Sequence, residues 1–102
     1  MYYVYMLRCK DNSIYTGITT DVSRRMEEHF SKNEKCAKYT FRHEALKLER
    51  VWKTENRSLA SKLEFNIKKL NKKQKEEIIR DNNMFKEILS NNIECDKYII
   101  IN

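Results

Sequence analysis

Two tyrosines, Tyr5 and Tyr15, are followed by Arg25, by His29 four positions later, and further on by Glu64. Each side chain type suits one part of a proton-transfer site that also holds an anion. A phenol has an ordinary pKa of about 10, so it serves as a base near neutrality only where cations lower that value. Histidine titrates near working pH and can share or relay a proton. Arginine offers a planar fork of donors to an oxyanion, a geometry that lysine cannot reproduce. A lone carboxylate such as Glu64 suits Mg²⁺, which binds through one or two carboxylates and keeps most of its waters. The only glycine of the chain, Gly17, lies in Tyr15-Thr16-Gly17. A single retained glycine implies either a positive φ or a surface that another group must approach closely.

These residues need elements to position them. Residues 2–9 (Tyr-Tyr-Val-Tyr-Met-Leu-Arg-Cys) are aromatic and β-branched enough for a strand. Lys10-Asp11-Asn12-Ser13 is a turn cluster, and residues 14–19 read as the returning strand of a hairpin. Side chains alternate with a period of two, so Tyr5 and Tyr15 share a face only if the loop has an odd length or carries a bulge. Asp21 reads as the N-cap of a helix whose apolar stripe is Val22, Met26 and Phe30, with Arg25 and His29 side by side at i, i+4. Residues 31–44 read as irregular, and 46–53 as a third strand. A second long helix is expected over 57–70, burying Ala60, Leu63, Ile67 and Leu70, with Glu64 at the edge of that stripe. Asn71 caps a third helix, Asp81 or Asn82 opens a fourth, and 98–101 reads as an extra strand or a docked tail.

The residues resemble the GIY-YIG endonuclease superfamily. Its two signature tripeptides stand here as Tyr3-Val4-Tyr5 and Tyr15-Thr16-Gly17, with Tyr3 in place of glycine and Thr16 in place of isoleucine. Its helical arginine matches Arg25, its following histidine or tyrosine matches His29, and its helical glutamate matches Glu64. Lys38-Tyr39-Thr40 looks like the Lys-Tyr-Thr stretch of the small stand-alone bacterial branch. Asn33-Glu34-Lys35-Cys36 replaces a glycine-rich loop.

The resemblance spans roughly residues 2–75. It implies an α/β (α+β) sandwich with a small, mainly antiparallel three-stranded sheet flanked by helices. The domain is expected over 1–83, with 84–102 as a C-terminal helix and tail packed on the same unit. It also implies a metal-dependent DNA endonuclease, acting by direct water attack, structure-selective or non-specific, with DNA repair or recombination as its setting. A single Mg²⁺ or Mn²⁺ on Glu64 is implied, with Tyr5, Tyr15, Arg25, His29 and Glu64 catalytic and Gly17, Lys38 and Tyr39 contacting substrate. Which tyrosine is the base stays open. The rival reading is a non-catalytic DNA- or RNA-binding module on the same fold.

Composition agrees with a nucleic-acid partner. The net charge is +6, and lysines concentrate at 62, 68, 69, 72, 73 and 75, which draws a protein to polyanions in a salt-dependent way. Cys9, Cys36 and Cys95 have neither zinc-site nor disulfide-framework spacing. No apolar run is long enough for a bilayer span, so no membrane partner and a cytoplasmic location are expected. The sequence leaves the oligomeric state open.

Overall fold

The computed structural model describes residues 1–31 and 35–102, so Asn33 and Glu34 of the expected substrate loop lie outside it. Strands β1 (Tyr2–Cys9) and β2 (Ile14–Thr19) form the expected hairpin, followed by α1 (Val22–Ser31), α2 (Lys38–His43) and β3 (Ala45–Thr54). Helices α3 (Arg57–Lys68), α4 (Lys72–Arg80) and α5 (Met84–Leu89) come next, then a 3₁₀ turn at Cys95–Lys97 and β4 (Ile99–Ile100). The sheet is antiparallel with order β2-β1-β3-β4. It has four strands where three were expected. The short β4 continues as two further backbone bonds, Ile101 N–H to Val51 O and Val51 N–H to Asn102 O.

The hairpin register brings the two tyrosines together. Tyr5 pairs with Gly17 and Leu7 with Tyr15, leaving a three-residue loop of Lys10-Asp11-Asn12. Asn12 supplies the left-handed residue that such loops require, at φ 71°, and its N–H closes the turn on Cys9 O at 2.9 Å. Tyr5 and Tyr15 therefore lie on one face, diagonal to each other across Gly17.

Alternation along β1 separates two cores. Val4 and Met6 point to one side, where Trp52, Ala60, Leu63, Ile67, Ile78, Phe85 and Leu89 close over them. Trp52 is buried there and stacks on Phe85 with ring centroids 5.1 Å apart. Tyr5 and Leu7 point to the other side and pack with Val51, Tyr15, Val22 and Met26. Helices α3 to α5 thus cover one face, while α1 packs against the other.

The hairpin tip is tied to α4 through Arg8. Its guanidinium makes a fork to Glu76 (both contacts 2.5 Å), bonds Glu49 of β3 at 3.0 Å and reaches the Asn12 carbonyl at 3.2 Å. Asn71 and Gln74 cap α4 reciprocally, and Asn56 caps α3 by accepting from Leu59 N.

Two expectations are corrected. Residues 38–43 form a helix inside a stretch expected to be irregular. On α1 it is His29 that is fully buried, while Phe30, expected in the apolar stripe, is 44% exposed. His29 tolerates burial because both ring nitrogens find partners.

Candidate active site

Tyr5 lies in the middle of β1 and is 1% exposed, with its ring laid over Gly17. A Cβ on residue 17 would sit 2.5 Å from the Tyr5 hydroxyl oxygen and 2.7 Å from Cζ. Gly17 has no positive φ. The close approach it permits in this structure is that of Tyr5 across the strand pair.

From Tyr5 a buried hydrogen-bond chain runs through two helices. The Tyr5 hydroxyl is 2.7 Å from His29 Nε2, His29 Nδ1 is 2.7 Å from Thr40 Oγ1, and the Thr40 hydroxyl donates to Ala37 O at 3.2 Å. The last bond sets the direction of the others. Thr40 spends its proton on a carbonyl, so it accepts from His29 Nδ1–H, and Nε2 is left as the acceptor for the Tyr5 O–H. Burial fits this neutral arrangement. It raises the Tyr5 pKa well above the ordinary phenol value, with Arg25 beside it pulling down. Burial, together with the charge of Arg25, lowers His29 to about 4.

Arg25 rises from α1 next to this chain. Its Nη1 contacts Glu28 Oε1 at 2.7 Å and donates to Lys35 O at 2.6 Å. Glu64 of α3 is half-buried, and its charge is among those that raise Tyr5. It is paired at 3.3 Å with Lys68, and the Lys68 ammonium stands 5.9 Å from the Tyr15 ring centroid. Because β2 is an edge strand, side chains of α3 reach the Tyr15 ring from beside the sheet.

Tyr15 completes an aromatic cluster. Its ring lies 6.2 Å from Tyr5, 5.5 Å from His29 and 5.5 Å from Tyr39, and Tyr39 stacks on His43 at 4.2 Å. His43 bonds Asp11 in the hairpin loop. Tyr39 therefore braces Tyr15 from α2, and Lys38 projects into solvent from the first turn of that helix. The structure thus gathers Tyr5, Tyr15, His29 and Tyr39, with Arg25 and Glu64 acting on Tyr5. Thr40 was not singled out by sequence reasoning, although it lies in the quoted Lys-Tyr-Thr stretch.

No group of three His, Cys, Asp or Glu side chains able to enclose a metal occurs among the described residues. Glu64 is a single carboxylate whose charge, like that of Arg25, acts on Tyr5. That donor set fits Mg²⁺ or Mn²⁺ held mainly by water and substrate oxygens, and it does not fit zinc. All three cysteines are free thiols. Among the described residues no helix is long and apolar enough to cross a membrane.

A hairpin carrying paired tyrosines, an arginine and a histidine on the next helix, and a glutamate on the helix beyond β3 together define a GIY-YIG domain. Residues 1–77 match the GIY-YIG catalytic domain, and the chain belongs to that family. Within it, the chain is similar to the small bacterial UPF0213 proteins. It is 50% identical to one from Fusobacterium nucleatum over 90 residues, 88% of each chain. It is 40% identical to the UPF0213 protein YhbQ of Salmonella typhimurium over 89 residues, 87% of each. The solution NMR structure of a UPF0213 protein from Bacillus halodurans superposes with a TM-score of 0.50 at 40% identity, over 78% of this chain and 84% of that one.

Proposed function

We propose that the protein is a divalent-metal-dependent endonuclease that hydrolyses DNA phosphodiester bonds by direct attack of water. It selects by structure or not at all, as suits repair or recombination intermediates. The observation that carries this reading is the directional hydrogen-bond chain from Tyr5 through His29 to Thr40, which begins at a phenol on which the charges of Arg25 and Glu64 act.

Arg25 holds the non-bridging oxygens of the scissile phosphate and offsets the charge that builds on them in the transition state. Tyr15, half-exposed at the sheet edge, positions the water. As the water oxygen bonds to phosphorus, its proton passes to the Tyr5 oxygen, and the proton of Tyr5 passes to His29 Nε2. The P–O bond to the leaving alkoxide breaks, and that alkoxide takes a proton from solvent.

Tyr5 therefore never accumulates as a phenolate, which its raised pKa would oppose. The imidazolium that results is short-lived, because burial and Arg25 favour neutral His29. It keeps its Nδ1–H on Thr40 and returns its Nε2 proton through Tyr5 to solvent as the product leaves. Glu64 would hold the Mg²⁺ or Mn²⁺, which supplies Lewis-acid withdrawal of charge from the phosphoryl oxygens. Lys38 and Tyr39 contact the strand beyond the reacting phosphate.

The test is metal-dependent cleavage of duplex, nicked, flap and branched DNA, and of RNA, by wild type, Glu64→Gln and Tyr5→Phe. Phenylalanine is chosen because alanine at a position 1% exposed would open a cavity. Cleavage by wild type, with losses of about a hundredfold or more in both variants, is expected. Undiminished cleavage by both variants would sink the mechanism. Salt-sensitive binding with no nicking by wild type would replace it with the binding-module reading.

A further inference from the structure

A second polar cleft opens beside the candidate active site and shares Arg25 as a wall. Its volume is about 350 Å³, and its lining includes Arg24, Arg25, Arg57, Glu28, Thr19 and Thr20. Four elements contribute: the start of β1, the end of β2, the first turns of α1, and the opening residue of α3. Three guanidinium groups face a single carboxylate, and that carboxylate, Glu28, is already bound to Arg25. Arg24 and Arg57 are both solvent-exposed, and nothing in the hydrolytic chemistry uses them.

Arginine converging from separate elements is suited to the fork geometry of phosphate oxygens. We infer that this cleft is a backbone subsite, in which Arg24 and Arg57 hold a phosphate of the same nucleic-acid strand, next to the one presented to Tyr5 and Arg25. The inference rests on the nuclease reading for its strand but not for its binding. The cleft reads backbone, not bases, so it sets register along the strand without sequence preference. It also directs the strand past the outer edge of β2, from the start of α3 towards Glu64.

The experiment measures binding of a short fluorescently labelled DNA duplex by anisotropy across a salt series, all in the Glu64→Gln background so that no turnover intervenes. One protein carries Arg24→Gln and Arg57→Gln. A control carries Lys86→Gln and Lys97→Gln, two exposed lysines on α5 and the 3₁₀ turn, away from the cleft. Removing the arginine pair that holds one phosphate should lower the slope of log K against log salt by about one and weaken binding about tenfold at about 0.1 M salt. The control should change neither. In the cleaving background, the arginine pair should raise KM and leave kcat nearly unchanged.

An unchanged slope, an equal loss in the lysine control, or no measurable duplex binding would each overturn the subsite. A reduced slope in a protein that never cleaves would uphold it while the hydrolytic reading fell. Normal cleavage with an unchanged slope would do the reverse.

Discussion

Thr40 shows how much of the candidate chemistry depends on one hydroxyl outside the reacting set. Both of its hydrogen-bonding roles are filled, accepting from His29 and donating to Ala37 O. Thr40→Val removes the acceptor from a buried N–H, which costs about 1–3 kcal/mol, and frees His29 to shift its proton to Nε2. Long-range ¹H–¹⁵N correlation of the imidazole should then show loss of the Nδ1–H tautomer, with cleavage falling in parallel, and Thr40→Ser should restore both. An unchanged tautomer would refute this assignment. Thr16 presents the opposite case. It is 2% exposed, and its hydroxyl has no partner among the described residues. Thr16→Val keeps the shape and removes the unpaired polar atom, so it should raise stability by about 1 kcal/mol, measured as a higher urea midpoint with an unchanged m-value.

Among the elements, the β1–β2 hairpin and α3 were legible because their signals are local. A turn cluster with an asparagine able to adopt positive φ, and an apolar repeat at Ala60, Leu63 and Ile67, need no tertiary context. Helix α2 was not legible. It has six residues and no side-chain cap at Ala37, and it is held by Thr40 on His29 and Tyr39 on Tyr15, contacts with residues distant in sequence. Hydropathy similarly favoured Phe30 over His29 for burial, because pairing of both imidazole nitrogens cannot be read from a helical stripe. The Arg8 cluster joins elements in the same non-local way. Arg8→Met should cost about 3 kcal/mol, since Glu49 and Glu76 lose a largely buried partner. Arg8 holds the Glu76 carboxyl below its ordinary pKa. That stabilisation is present above the ordinary glutamate range and is lost as pH falls through the folded-state value. Urea melts of wild type and variant should therefore converge towards acid.

At the scale of the whole molecule, His29 sets a further acid limit. Its folded pKa of about 4 lies below the ordinary 6.5. Between these values the unfolded chain binds the extra proton and the folded chain does not, so stability rises with pH across the window. The loss on acidifying from pH 6.5 to 4 should approach about 3 kcal/mol from this group alone, and His29→Gln should flatten that part of the profile. A wild-type profile that stays flat there would contradict a neutral buried imidazole.

The single tryptophan bears on how all these measurements can be made. Trp52 is buried against Phe85 beneath α3 to α5, on the face of the sheet turned away from Tyr5. Its emission therefore reports core integrity without being quenched or shifted by a strand bound over the tyrosines. An intrinsic fluorophore insulated from the working face lets unfolding be followed optically with nucleic acid present, so a dead variant can be told from a melted one in the same cuvette.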